Sequence, residues 1–213
     1  MRPLLVLLCA GESAGAESIR AATAIELVHM ATLVHDDVLD AAPLRRGRPT
    51  VVAASGRERA VATGDLLFSR AFAELAAAGP EADAQVALLA RASVALARGE
   101  LAQRRDAFDT AVSAERYLLR CGLKTAALFE CACAIGRPAA PESRREALVR
   151  FGREIGLAFQ LLDDVLDVVG PPERTGKARG TDLLDGTVTL PLIRAIAHDP
   201  VADEVEEGAL GIR

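Results

Sequence analysis

The sequence predicts an all-α protein. Apolar residues recur with the 3.6-residue period of a helix, most clearly from Glu17 to Asp40, where Ile25, Val28 and Thr32 share one face. Strand-type alternation is almost absent, and alanine, the strongest helix former, is spread through the chain. Glycine and proline cluster between the periodic segments. The chain has 213 residues, of which 51% are hydrophobic, so we expect one domain with a substantial core.

The first segment, MRPLLVLLCAGESAGA, resembles a secretory signal because a basic residue precedes a short apolar run. Pro3 is equally a helix-start signal, and no apolar run approaches the roughly 18 to 20 residues that span a bilayer. We therefore interpret the segment as the start of a core helix, and expect a cytoplasmic protein without a transmembrane segment. Further helices are predicted at 17–40, 57–78, 81–107, 113–135, 142–169 and 189–197, with breakers at 42–50, 77–80, 136–142 and 170–181.

Charge and cysteine content exclude several kinds of function. The net charge is −5 and the sequence pI is about 5.3, which argues against binding to nucleic acid. The cysteines lack the spacing of zinc and redox motifs, so we expect buried thiols in a reducing compartment. They are Cys9, Cys121, Cys131 and Cys133.

The pentapeptide DDVLD occurs twice. It begins at Asp36 and again at Asp163, 127 positions later (163 − 36), each time after an apolar helical stretch. On a helix, Asp36 and Asp40 lie one turn apart on the same face, so these carboxylates repel each other. The helix dipole adds to the penalty, because anions are disfavoured at a helix C-terminus. A bound cation would remove this repulsion.

Magnesium is the cation that these residues favour. All candidate ligands are carboxylates, without Cys or His, and magnesium usually shares its coordination shell with substrate phosphates. An EF-hand is excluded by the aspartate spacing. A helix end whose aspartates only face water, without a metal ion, is an alternative explanation for either cluster alone, but it explains two such clusters poorly. The predicted ligands are Asp36, Asp37, Asp40, Asp163, Asp164 and Asp167.

Basic residues follow both acidic clusters. Arg45, Arg46 and Arg48 come after the first cluster, Lys177 and Arg179 come after the second, and Lys124 lies between them. Arginine offers paired donors to phosphate oxygens, and lysine acts as a point charge. Carboxylates for magnesium together with cations for phosphate indicate a diphosphate site with an apolar cavity behind it.

Several motifs make the chain similar to the trans-isoprenyl diphosphate synthases, or polyprenyl synthetases. They are ELVHMATLVHDDVLDAAPLRRGRPT, GDLLFSRAF, GE at 99–100, KTAALF at 124–129, GLAFQLLDDVLDVVG, GKARGTDL and TLPLI, in the family's order. The resemblance extends to about residue 195. It implies an antiparallel helical bundle around a central cavity. It also implies head-to-tail condensation of isopentenyl diphosphate with an allylic prenyl diphosphate, assisted by Mg²⁺.

The resemblance implies roles for single residues. Asp36, Asp37, Asp40, Asp163, Asp164 and Asp167 would hold the magnesium ions. Arg45 and Lys177 would contact the allylic diphosphate with Lys124 nearby, Arg2, His29 and Arg46 would contact isopentenyl diphosphate, and Thr125 and Gln160 would lie beside the reacting carbons. Small residues ahead of the first cluster, Ala31 and Thr32, imply a geranylgeranyl or longer product. Phe68 and Phe72 either floor the tail cavity or belong to the core.

Three departures from the family pattern leave alternatives open. The Gly-Gly-Lys-Arg segment that precedes Arg2-Pro3 in the family is absent, Thr187 stands where a lysine is usual, and the C-terminal helices are expected to be missing or reduced. A non-catalytic or weakly active partner subunit of a heteromeric synthase is therefore an alternative, and a terpene cyclase is a weaker one. The family also implies a homodimer.

Overall fold

The computed structural model of the chain describes residues 1–171 and 179–198, and it confirms the all-α prediction. The helices that lead to the first acidic cluster are α1 (Arg2–Ala10) and α2 (Ala16–Leu39). The following ones are α3 (Val51–Ser55), α4 (Arg57–Ala76), α5 (Ala82–Arg105), α6 (Ala114–Cys121), α7 (Ala127–Ile135), α8 (Glu142–Val169), α9 (Thr181–Leu184) and α10 (Leu190–His198). Short 3₁₀ turns cover Gly11–Ser13 and Gly79–Glu81.

The helix predicted at 113–135 is interrupted in its middle. Residues Gly122–Ala126 form a π-helical turn between α6 and α7, so one wider turn is inserted into an otherwise continuous helix. Such turns occur frequently at functional sites. Apolar periodicity did not reveal it, because a single wide turn barely changes a pattern read over many residues.

A small hairpin occupies the stretch predicted as a breaker at 42–50. Its strands are β1 (Leu44–Arg45) and β2 (Arg48–Pro49), paired antiparallel. Arg46 and Gly47 at the turn have φ values of 51° and 73°, as a two-residue hairpin of type I′ requires. Arginine rarely adopts this left-handed conformation, and such positions cluster at functional sites.

The core lies between α2 and the helices packed around it. Helix α2 packs along α4 and against α1, α7 packs along α8, and the π turn contacts both α5 and α8. The main cluster includes the fully buried Val6, Ile25, Leu75, Leu89 and Phe129. A smaller cluster around Val112, Tyr117, Cys121 and Val188 lies beside the second acidic cluster. Helix α8 contributes Leu157 and Leu161 to this smaller cluster, directly ahead of its aspartates.

The structure also shows where the cysteines and the N-terminal segment lie. All four cysteines are free thiols; Cys121, Cys131 and Cys133 are buried and Cys9 is partly exposed. Residues Arg2–Ala10 form a helix that buries Leu5, Val6 and Ala10, as predicted for a core helix. Within residues 1–171 and 179–198, no helix combines the length and apolarity that crossing a membrane requires.

Candidate active site

The first acidic cluster occupies the last turn of α2. Asp36 is half-buried, Asp37 is buried and Asp40 is exposed, and the N–H of Asp40 closes the helix on the Asp36 carbonyl. Burial raises the pKa of Asp36 to about 6, although the charge of Lys124 acts in the opposite direction. An uncompensated carboxylate at this depth is costly, which is the condition that a bound cation relieves.

The hairpin brings Arg45 back to this cluster. Its Nε donates a hydrogen bond of 2.8 Å to Oδ1 of Asp37, whose side chain is 6% exposed. The left-handed turn at Arg46 and Gly47 reverses the chain directly after Arg45. A predicted diphosphate contact and a predicted metal ligand are thus adjacent in the structure.

A chain of ion pairs connects the first cluster to Lys124. Asp40 Oδ1 accepts a hydrogen bond of 2.6 Å from Arg104, and Arg104 Nε donates one of 2.9 Å to Glu100 Oε1. The other Glu100 oxygen lies 2.5 Å from Lys124 Nζ. These contacts place Lys124 near the end of α2 even though it belongs to the π turn.

Two glycines allow the neighbouring helices to approach the π turn closely. A Cβ on Gly99 of α5 would lie 2.5 Å from the backbone nitrogen of Lys124, and a Cβ on Gly156 of α8 would lie 2.5 Å from the Cα of Ala126. Any side chain at either position would push the turn away. Lys124 and Thr125 are therefore held between α5 and α8 by direct backbone packing.

The second acidic cluster lies near the end of α8. Asp163 is exposed, whereas Asp164 and Asp167 are 3% and 2% exposed. Asp167 Oδ2 accepts a hydrogen bond of 3.1 Å from the N–H of Asp182. Asp164 accepts hydrogen bonds from Tyr117 and Gln160, at 2.5 Å and 2.7 Å. Burial raises the pKa of Asp164, while these two hydrogen bonds counteract the rise.

A cavity of about 470 Å³ opens behind the first cluster, between α2, α4 and α5. Asp36, Glu100 and Lys124 provide charged groups in its wall together with Arg57, and aliphatic side chains make up the largest part of the remaining lining. Thr32 and Phe68 line it, whereas Ala31 is fully buried and Phe72 packs against the core. His35 stacks on Phe68 with ring centroids 6.0 Å apart. The cavity wall therefore includes two of the four residues proposed to set product length.

The predicted isopentenyl diphosphate contacts form a second positive region. Burial, together with the charges of Arg2, Arg46 and Arg45, lowers the pKa of His29 to about 4. Arg2 lies with its guanidinium carbon 4.5 Å from the centroid of the Phe129 ring, and burial lowers its pKa to about 10. The buried Nε of Arg2 has no hydrogen-bond partner within the described part of the chain. Several cations around a neutral histidine are suited to an anion.

The donor chemistry at the clusters fits magnesium. Within the described ranges, no three acidic, histidine or cysteine side chains converge closely enough to hold a metal ion by themselves. Magnesium, however, is commonly bound by one or two carboxylates together with water and substrate phosphates. Carboxylate oxygens near Arg45 and Lys124 are therefore compatible with an ion that arrives with a diphosphate.

Three residues with clear positions in the site were not identified from the sequence. Glu100 belongs to the GE motif at 99–100, but no function was predicted for it. Neither Arg104 nor Tyr117 was predicted to belong to the site. The spacing of Glu100 and Arg104, one helical turn apart, is a signal that could have paired them. Tyr117 is the only tyrosine of the chain, but nothing in the sequence indicates its partner on α8. Lys177, a predicted diphosphate contact, lies outside the described residues.

Comparison with known proteins gives consistent results. Residues 1–210 match the family model described as Polyprenyl synthetase. The chain is 42% identical over 205 residues to heptaprenyl diphosphate synthase component 2 of Geobacillus stearothermophilus, covering 94% of this chain and 63% of the relative. It is 41% identical over 204 residues to the (2E,6E)-farnesyl diphosphate synthase of Mycobacterium tuberculosis, covering 93% and 56%. The chain thus spans less than two thirds of the length of these curated relatives.

A solved structure gives the same result for the fold. The polyprenyl synthase of Caulobacter crescentus, complexed with calcium and isoprenyl diphosphate, aligns with a TM-score of 0.89 at 38% identity. The alignment covers 99% of this chain and 65% of that one.

Proposed function

Because the chain belongs to the polyprenyl synthetase family, we propose that it provides the active site of a prenyltransferase. The reaction is head-to-tail condensation of isopentenyl diphosphate with an allylic prenyl diphosphate. One observation supports this function above the others. Asp36, Glu100 and Lys124 line a largely apolar cavity, and Asp37, which follows Asp36 on α2, is paired with Arg45.

The allylic diphosphate is proposed to bind where Lys124 and Arg45 meet the two acidic clusters. Arg45 offers a planar donor group and Lys124 a mobile ammonium, so both neutralise charge on the departing diphosphate. The aspartates proposed to hold Mg²⁺ are Asp36, Asp37, Asp40, Asp163, Asp164 and Asp167. Bound magnesium would supply Lewis-acid stabilisation of the phosphate oxygens. Two lone pairs remain on the Asp164 carboxylate beside its bonds to Tyr117 and Gln160, since a carboxylate has about four acceptor sites.

The cavity is proposed to hold the hydrocarbon tail and to keep water from the reacting carbon. Departure of diphosphate leaves an allylic cation, which water would capture in an open site. Thr125 and Gln160 lie beside Lys124 in a small pocket with Asp164. Their oxygen atoms are proposed to stabilise the positive charge that develops there. Isopentenyl diphosphate then adds to the cation through its double bond, and loss of a proton gives the product. We assign the released diphosphate as the base that accepts this proton.

Arg2, His29 and Arg46 are proposed to bind isopentenyl diphosphate. The neutral form of His29 can donate one hydrogen bond without adding a further charge to an already positive region. The Nε of Arg2, which has no partner among residues 1–171 and 179–198, is a donor that a phosphate oxygen would satisfy.

The product is proposed to be geranylgeranyl diphosphate or longer. Thr32 is small and lines the cavity, so the tail is not blocked at that point. The relatives named above include both a farnesyl and a heptaprenyl synthase, so family membership alone leaves the length open. A cytoplasmic homodimer remains our prediction for the assembly. The non-catalytic partner subunit is not favoured, because both acidic clusters are present and the relatives are named as synthases or a synthase component.

The decisive experiment is a product assay. Purified protein is incubated with labelled isopentenyl diphosphate and farnesyl diphosphate, with and without magnesium, and the extracted prenyl products are separated by length. Magnesium-dependent products longer than farnesyl would support the function and the proposed length class together. Absence of product, with diphosphate binding still detectable by calorimetry, would instead favour the partner subunit.

A further inference from the structure

A buried tyrosine is hydrogen-bonded to the second acidic cluster. The Tyr117 hydroxyl lies 2.5 Å from Oδ2 of Asp164, and these residues are 1% and 3% exposed. An ionised carboxylate can only accept hydrogen bonds, so the tyrosine must be the donor. Arg120 lies over the ring, 5.5 Å from its centroid, and helps to fix its position.

The same carboxylate determines the orientation of Gln160. Nε2 of Gln160 donates a hydrogen bond of 2.7 Å to Oδ1 of Asp164. Because a primary amide has its donors on one side and its acceptor on the other, Oε1 of Gln160 must then point away from Asp164. It accepts a hydrogen bond of 2.6 Å from the hydroxyl of Thr125. The direction of every hydrogen bond in this series follows from the acceptor-only carboxylate.

The series ends at the pocket where prenyl transfer is proposed to occur. Thr125 and Gln160 line this pocket together with Lys124, Asp164 and Tyr117. Since the threonine proton is used on Gln160, the remaining lone pairs of the threonine oxygen are available to the pocket. Oriented oxygen dipoles stabilise a developing positive charge, whereas an inverted amide would present N–H groups and destabilise it.

We propose that Tyr117 is a positioning residue for prenyl transfer, acting through Asp164 to fix the orientation of Gln160 and Thr125. The inference rests on the proposed function and adds a residue to it. Without the tyrosine hydroxyl, the buried Oδ2 of Asp164 would lose this hydrogen-bond donor. The carboxylate could then rotate, and the Gln160 amide that is bonded to it would lose its fixed orientation.

The first test separates positioning from stability. Tyr117→Phe keeps the ring and removes only the hydroxyl. We expect kcat for condensation to fall about tenfold or more, because small misplacements at a reacting centre are costly. The KM values for both diphosphates should change little, and the variant should melt as a folded protein. Thr23→Val, which removes a hydroxyl bonded to the Ile19 carbonyl on an exposed part of α2, is the matched control and should retain full kcat.

The second test asks whether Tyr117 acts through Gln160. In a Gln160→Leu background the amide that links Asp164 to Thr125 is absent, so adding Tyr117→Phe should cause little further loss of kcat. Independent, multiplicative losses in the double variant would overturn the proposal, because they would mean that Tyr117 acts by another route.

A third test does not depend on activity. The chain contains three glutamines, Gln85, Gln103 and Gln160, and no asparagine, so its NMR spectrum has only three side-chain amide pairs. Gln160→Leu identifies the pair of Gln160. We expect this pair to be protected from hydrogen exchange in the wild type, and to shift and lose protection in Tyr117→Phe. An unchanged Gln160 signal would overturn the proposal. If the wild type forms no prenyl product, the proposed function fails, and this comparison still decides whether Tyr117 orients Gln160.

Discussion

The ammonium group of Lys124 lies 2.5 Å from the Glu100 carboxylate, and this contact completes a charged chain from Asp40 to the π turn. Arg104 bonds to both Asp40 and Glu100, so each cation in the chain lies next to a carboxylate. If metal-bound diphosphate recruits Asp40 and Lys124, Arg104 and Glu100 still have each other as partners. The network can therefore release its two end residues to a ligand without leaving a charge unpaired in the middle.

Lys124→Ala should reduce kcat strongly, because the variant lacks the cation proposed to stabilise the departing diphosphate. By analogy with the loss of a single electrostatic group in other active sites, the decrease should be about 100-fold or more. Steady-state kinetics with a saturating allylic diphosphate would measure it.

The matched control is Arg70→Ala. Arg70 forms an exposed ion pair with Glu74 on α4, one helical turn apart, and it does not line the cavity. This variant should retain wild-type kcat. Equal activity of Lys124→Ala and Arg70→Ala would exclude the proposed role of Lys124.

Gly99→Ala should disturb the π turn. The added methyl group would lie 2.5 Å from the Lys124 nitrogen and 2.7 Å from its Cα, so helix α5 and the turn must separate. Overpacking of this kind costs about 1–3 kcal/mol of stability, and it should also lower kcat because Lys124 is displaced. Urea unfolding and steady-state kinetics test both effects.

Gly15→Ala provides the comparison for this glycine. Its added methyl group would meet no heavy atom within 4 Å, and Gly15 has an extended backbone with φ of −153° that alanine can adopt. Because Gly15 is the N-cap residue of α2 and alanine is a weaker cap, we expect a loss of about 0.5 kcal/mol, smaller than that of Gly99→Ala. Similar losses in both alanine variants would mean that steric contact with the π turn is not the cause.

The sequence was sufficient for features that depend on local pattern. The long helices could be predicted because apolar residues recur along them at a helical period, and the two acidic clusters could be predicted because DDVLD occurs twice in the sequence. The contact between Tyr117 and Asp164 could not, since 47 residues separate them and the rotation of α6 against α8 depends on packing between helices. The π turn at Gly122–Ala126 likewise depends on backbone contacts with Gly99 and Gly156.

His29 should make stability depend on pH under mildly acidic conditions. Its pKa is about 4 in the folded protein and 6.5 in an exposed chain, so the unfolded chain binds more protons between these values. The contribution of His29 to stability should therefore rise with pH through this window and be fully present above it. For a partly exposed ring this difference is about 1–2 kcal/mol.

His29→Gln should remove most of this dependence. The measurement is urea unfolding of both proteins at about pH 4.5 and about pH 7, followed as the difference between the two pH values. Burial raises the pKa of Asp36 to about 6, so this carboxyl contributes in the opposite direction over the same range, but it is present in both proteins and cancels when they are compared. A variant with the full wild-type dependence would show that other groups are responsible.

The product length should respond to the size of the side chain at position 32. Thr32 lies on α2 within the wall of the cavity, and Thr32→Phe would place a large ring in the space proposed for the growing tail. We expect shorter products, with total turnover retained, because the acidic clusters and Lys124 are unchanged. Chromatographic separation of labelled prenyl products by length would measure this shift.

The matched control is Thr23→Phe. It adds the same ring at an exposed position of the same helix, two and a half turns away at 3.6 residues per turn, and should leave the product distribution unchanged. A wild-type distribution from Thr32→Phe would mean that the tail does not extend along α2, and that the cavity between α2, α4 and α5 is not where the product grows.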